Sequence, residues 1–101
     1  MIKQDIQIKD YWDIIVVYNA YLGEINSGFT HTNFKEKLSI VGIGMADSKE
    51  QFLNTIVHEA KHVQSHICKY YRVLEDSEDA AYLIGYIVMK MYEFFKRFIC
   101  Q

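Results

Sequence analysis

Two histidines and a glutamate in the second half of the chain have the spacing of a metal-binding motif. His58, Glu59 and His62 form a His-Glu-x-x-His pattern inside a segment of helical periodicity. On a helix, residues four apart lie one turn apart on the same face, so both imidazoles can bind one Zn²⁺ from one side. The glutamate beside the first histidine can then reach a water on that metal and act as a general base. The pattern therefore predicts either a zinc site with hydrolysis as its chemistry or an ordinary solvated helix face that carries two histidines.

A third ligand is expected nearby, because catalytic zinc sites generally use three protein ligands and leave one position for water. The candidates downstream are the carboxylates of Glu75, Glu78 and Asp79. Glu78 opens a second helix, which can return past the histidines across a linker of six or seven residues. Ala80 and Ala81 would let the two helices approach closely. The alternative for Glu78, a favourable charge at a helix N-terminus, is compatible with the ligand role.

Two amphipathic helices are expected to position these residues. Ser48 and Gln51 form a capping box at the start of the first helix, which is predicted to run through the motif to about residue 69. The second helix is predicted from residue 76 or 77 to about residue 98. The predicted apolar stripes are Leu53, Ile56, Val57, Ala60, Val63 and Ile67 in the first helix, and Ala80, Leu83, Ile84, Ile87, Val88, Met91, Phe94, Phe95 and Phe98 in the second. The two motif histidines fall roughly opposite the first stripe, so they are expected to face solvent or a cleft.

The first half of the chain predicts a small β-sheet. Residues 11–21 are rich in β-branched and aromatic side chains and predict a strand, although their spacing also permits a helix. Residues 24–33 predict a turn or loop. Residues 38–45 predict a second strand, in which Gly42 and Gly44 leave one face open to another backbone. This strand is either an ordinary member of the sheet or the strand that pairs with an extended substrate.

Length and composition predict one compact domain over residues 1–101, and the order of predicted strands and helices makes it α+β. Half of the residues are hydrophobic, and the net charge of −2 comes without a basic stripe, so no nucleic-acid partner is expected. Residues 1–7 lack the apolar core of a signal peptide, and the apolar run at 80–89 is half as long as a bilayer span. We therefore expect a cytoplasmic protein with no membrane partner, in which Cys68 and Cys100 are reduced thiols.

The two short motifs resemble those of gluzincin-type zinc metallopeptidases. Glu78 follows His62 by sixteen residues in a helical Glu-x-x-Ala pattern, and residues 78–82 are similar to the glutamate helix of small zincins such as the ImmA-like family. The order of elements over residues 38–91 resembles a minimal zincin-like protein of phages and bacterial mobile elements.

This resemblance implies a zincin-like fold with a small N-terminal sheet, an active-site helix and a long C-terminal glutamate helix. It implies His58, His62 and Glu78 as zinc ligands, Glu59 as the general base, and a peptide or protein as the substrate. At 101 residues the chain offers little material for a deep substrate cleft, and a partner subunit or homodimer is one way to supply the missing wall.

Three residues depart from the family pattern. Lys61 and Gln64 stand where uncharged and apolar residues are usual, and Tyr82 stands where some of these families have Asp. Lys61, Gln64 and the small size of the chain favour a second hypothesis, a non-catalytic binding module that holds zinc structurally or has lost it. A third hypothesis is a helical interaction protein in which the motif is coincidental and the aromatic last helix pairs with another chain.

A peptidase also needs a donor for the oxyanion, and the sequence does not select one. The candidates are His31, His66, Tyr70, Tyr71 and Tyr82. His66 follows His62 by four residues, so it is alternatively a surface residue or a competing metal ligand.

Overall fold

The computed structural model describes residues 2–9 and 11–99, which form one four-stranded sheet and two α-helices. The strands are β1 (Ile2–Ile8), β2 (Trp12–Tyr18), β3 (Gly28–Asn33) and β4 (Leu38–Ile43). The helices are α1 (Lys49–Tyr71) and α2 (Glu78–Phe95), and a 3₁₀ helix at Lys96–Phe98 follows α2. The predicted α+β class, with a sheet before two helices, is confirmed. Cys100, predicted as a free thiol, lies outside the described residues.

The strand order in the sheet is β1-β2-β4-β3. β2 and β4 are parallel, whereas β1–β2 and β3–β4 are antiparallel pairs. β4 therefore lies inside the sheet with a partner on each side. The suggestion that residues 38–45 pair with a substrate is wrong, and the alternative, an ordinary sheet member, is correct.

Both helices pack on one face of the sheet. α1 contacts β3 and β4, and α2 contacts β1 and β2. The core between the layers consists mainly of buried aliphatic and aromatic side chains, among them Ile14, Val16, Val41, Ile43, Ile56, Val63, Ile87, Phe94 and Phe95. None of the helices in the described part of the chain has the length and apolarity needed to cross a membrane.

Two strands differ from the sequence prediction. β3 occupies the second half of the segment predicted as a loop at 24–33, and β1 was not predicted. The strand predicted at 11–21 is confirmed as β2, although it ends at Tyr18. Gly44 is approached by the backbone carbonyl of Leu22, as predicted, but the space at Gly42 is filled by the ring of Phe29 rather than by a backbone.

The two predicted helix starts are confirmed. Ser48 caps α1 by accepting a hydrogen bond from the backbone N–H of Gln51 at 3.1 Å, and Ser77 caps α2 in the same way. The predicted stripe of α1 is wrong at two positions, since Leu53 and Val57 are 38% and 46% exposed. The additional buried positions of α1 are Phe52, Thr55, Glu59, Gln64 and Cys68.

Candidate metal centre

His58 and His62 lie one turn apart on the exposed face of α1, and their rings approach each other. Their Nε2 atoms are 3.3 Å apart, and the ring planes meet at 80° with centroids 4.9 Å apart. Between two neutral imidazoles, this distance corresponds to a long hydrogen bond in which one ring donates and the other accepts. The structure thus brings together two of the three predicted metal ligands.

The separation of the Nε2 atoms also fits a shared zinc ion. Two nitrogen ligands about 2.0–2.1 Å from a tetrahedral Zn²⁺ lie about 3.3–3.4 Å from each other. The observed separation of 3.3 Å falls in this range. Both nitrogens must be unprotonated to bind, so metal binding would release any proton held there. This donor set therefore fits half of a tetrahedral zinc site.

Glu59 points into the interface between α1 and β3. Only 5% of the residue is exposed, and its Oε1 accepts a hydrogen bond from Thr30 Oγ1 at 2.7 Å. Gly28 permits this close approach, because an added Cβ there would lie 3.2 Å from Glu59 Cγ and 2.9 Å from Thr55 Cγ2. Glu59 therefore lies to one side of the histidine pair, where α1 contacts β3.

The three downstream carboxylates occupy different places. Glu78 is exposed at the start of α2, and Asp79 lines a cleft of about 580 Å³ between α2, β1 and the end of α1. Glu75 accepts hydrogen bonds from Ser65 Oγ at 2.5 Å and from Lys61 Nζ at 2.9 Å. Within residues 2–9 and 11–99, no three His, Cys, Asp or Glu side chains form a group that could hold a metal ion.

The first turn of α2 meets α1 on a side turned away from the histidines. Gln64 is buried, and its Nε2 donates to the carbonyl oxygen of Ala80 at 3.2 Å. At 100° per residue, Gln64 lies about 160° around α1 from His62 and about 120° from His58. Glu78 belongs to the same first turn as Ala80, so the structure does not bring it to the imidazoles. Its role as third ligand stays a prediction from the resemblance.

The departures at Lys61 and Gln64 have a structural explanation. Lys61 Nζ donates to Gln64 Oε1 at 2.7 Å and pairs with Glu75, so the amide of Gln64 links Lys61 to α2. The hydrogen bonds from Ser65 and Lys61 lower the pKa of Glu75, which keeps this carboxylate ionised near neutral pH. The charge of Lys61 is thereby directed to Glu75 instead of the histidine pair.

A chain of hydrogen bonds links the sheet to α1 one turn beyond the histidine pair. Trp12 Nε1 donates to Ser39 Oγ at 3.0 Å, and Ser39 Oγ lies 2.8 Å from Thr32 Oγ1. Thr32 Oγ1 in turn lies 2.7 Å from His66 Nδ1. The sequence did not indicate this chain, because Thr32 and Ser39 become neighbours only through the pairing of β3 with β4.

His66 is partly buried at the end of this chain. Burial lowers the pKa of His66, and the nearby His62 and Lys69 lower it further, while Glu75 acts in the opposite direction. His66 is therefore a neutral imidazole near pH 7.

The other candidate oxyanion donors lie away from the histidine pair. Tyr70 and Tyr71 pack edge-to-face against Trp12 at the C-terminal end of α1. Tyr82 lines the same cleft as Asp79. His31 is exposed and alternates along β3 with the threonines that contact α1, so it points to the opposite face of the sheet.

Comparisons of the chain with protein-family models, with curated proteins and with solved structures find no match.

Proposed function

We propose that this protein is a zinc-dependent peptidase in which His58 and His62 hold Zn²⁺ and Glu59 transfers protons. The observation that carries the proposal is the 3.3 Å separation of the two Nε2 atoms, which matches ligands on one tetrahedral ion. Zinc bound there would polarise a peptide carbonyl and lower the pKa of a bound water toward 7.

Glu59 would accept the proton of the attacking water and pass it to the leaving amine. The hydrogen bond from Thr30 occupies Oε1 and fixes the carboxylate against β3, which leaves Oε2 to accept the proton. The position of this residue between the histidine pair and β3 therefore supports a role as base.

The proposed substrate is an extended peptide or protein segment that lies along β3. Within the described residues β3 pairs only with β4, so the backbone groups on its other side are open to a further strand. β3 meets α1 at Glu59 and His66, which lie about 60° and 40° around the helix from His62. A peptide added to this edge would pass beside the imidazole pair.

The test uses the full chain with one equivalent of Zn²⁺ and an unfolded protein as substrate, with fragments identified by mass spectrometry. Glu59→Gln is expected to keep zinc and to lose at least about 100-fold in cleavage rate, because an amide cannot take up the proton. His58→Gln is expected to lose zinc and cleavage, whereas the control His31→Gln keeps both. Undiminished cleavage in Glu59→Gln would remove Glu59 as the base, and undiminished zinc affinity in His58→Gln would remove the site.

A non-catalytic metal-binding module is the second candidate function. It is favoured by the lack, within residues 2–9 and 11–99, of a third side chain grouped with the two histidines. Peptide cleavage by the zinc-loaded wild type separates the two candidates, and Glu78→Gln tests whether Glu78 is a third ligand. The resemblance to gluzincins predicts a loss of zinc affinity of at least about 10-fold in this variant, whereas a site built from the histidine pair alone predicts no change.

A further inference from the structure

In one direction of the hydrogen-bond chain from Trp12 to His66, every hydroxyl proton has an acceptor within the chain. Ser39 is fully buried, and the indole N–H of Trp12 can only donate to it. The hydroxyl proton of Ser39 must therefore go to Thr32, the other partner of Ser39 in the structure. The hydroxyl of Thr32 then donates to Nδ1 of His66.

This direction fixes the tautomer of His66. A neutral imidazole whose Nδ1 accepts a hydrogen bond carries its proton on Nε2. The two ring nitrogens point in widely different directions, so the Nε2–H group is directed away from Thr32. Neither nitrogen then has a free lone pair for a metal, which distinguishes His66 from His58 and His62.

We propose that His66 is a further catalytic residue of this site, whose Nε2–H donates a hydrogen bond to the carbonyl oxygen of a peptide bound beside His62, and that Thr32, Ser39 and Trp12 are positioning residues. This proposal rests on the peptidase function proposed above. His66 follows His62 by one turn on nearly the same side of α1. It borders β3, the strand that would hold the peptide. A donor held in place before the reaction stabilises the negative charge that develops on the oxygen at little cost in reorganisation.

The first arm of the test measures the tautomer of His66 in the metal-free full chain. Long-range ¹H–¹⁵N correlation spectra at mildly alkaline pH distinguish protonated from unprotonated ring nitrogens. We expect the proton of His66 on Nε2 in the wild type and a mixture of both tautomers in Thr32→Val, which lacks the hydroxyl. A proton on Nδ1 in the wild type, or an unchanged tautomer in Thr32→Val, would overturn the proposal.

The second arm measures cleavage with zinc present. His66→Phe is expected to lower kcat about 10²- to 10³-fold with little change in KM, the loss typical of a removed oxyanion donor. His66→Gln, which keeps an N–H donor, is expected to recover part of that loss, and His31→Phe serves as the matched control on β3. Zinc affinity and the amide spectrum of each variant verify that the fold and the metal site are retained.

The outcomes separate the two proposals. If the wild type cleaves and His66→Phe cleaves equally well, the role of His66 is wrong while the peptidase function stands. If the wild type binds zinc but cleaves no peptide, the peptidase function fails, and the catalytic role of His66 fails with it.

Discussion

At the scale of single residues, α1 is notable for the polar side chains that it buries. Glu59 is satisfied by Thr30 on β3, and Gln64 is satisfied by Lys61 and by a carbonyl of α2. Burial of such groups is tolerated when their hydrogen bonds are made. The spacing of apolar residues in α1 could not predict that Glu59 and Gln64 are buried. Thr30 and Ala80, which contact them, are distant in sequence, and α1 packs against neighbours on two sides. Its buried surface is therefore wider than one stripe of aliphatic residues.

The lowered pKa of His66 leads to a prediction about stability. As the pH falls below 6.5, the unfolded chain takes up a proton on this residue before the folded chain does. The free energy of unfolding is therefore expected to fall from pH 6.5 downward and to level off below the folded-state pKa of His66. Urea denaturation over this range should show a smaller decrease in His66→Gln than in the wild type. Identical pH profiles in the two proteins would contradict the burial of a neutral His66.

At the scale of elements, the sequence predicted both helices and the two inner strands, and it missed the two edge strands. The helix starts were predictable because the capping serines are local signals. β3 was missed because Asn26, Ser27 and Gly28 together indicate a turn, and because its inward side chains are threonines rather than aliphatic residues. β1 exposes most of its residues and buries only Ile6 and Ile8, so its pattern is weak.

Alanine substitutions at two glycines test how tightly α1 packs against β3. An added Cβ at Gly28 would lie 2.9 Å from Thr55 Cγ2 and from the carbonyl oxygen of Gly42, whereas one at Gly85 meets nothing within 4 Å. Gly28→Ala is expected to destabilise the fold by about 1–3 kcal/mol, as overpacking generally does. Gly85→Ala, in the interior of α2, is expected to stabilise it by about 0.5–1 kcal/mol through lower backbone entropy in the unfolded chain. Urea unfolding measures both, and a neutral or stabilising Gly28→Ala would show that β3 is not held tightly against α1.

At the scale of the whole molecule, the order of the strands decides which residues can share a site. β2 and β4 are the central strands of the sheet. α1 lies over β3 and β4, and α2 lies over β1 and β2. α2 is thus beside α1 on the side away from β3. Glu78, the first residue of α2, therefore lies away from the histidine pair. The sequence could not reveal this, since helix lengths and linker length are compatible with either side. The core contains neither His58 nor His62, so the proposed zinc site lies at the margin of the fold.

The most direct test of the zinc site is a crystal structure of the full chain grown with one equivalent of Zn²⁺, with anomalous diffraction recorded at the zinc edge. We expect one anomalous peak about 2.0–2.1 Å from the Nε2 atoms of both His58 and His62, with the remaining ligands visible around it. A peak bound by only one of these histidines, or no peak between them, would contradict the account.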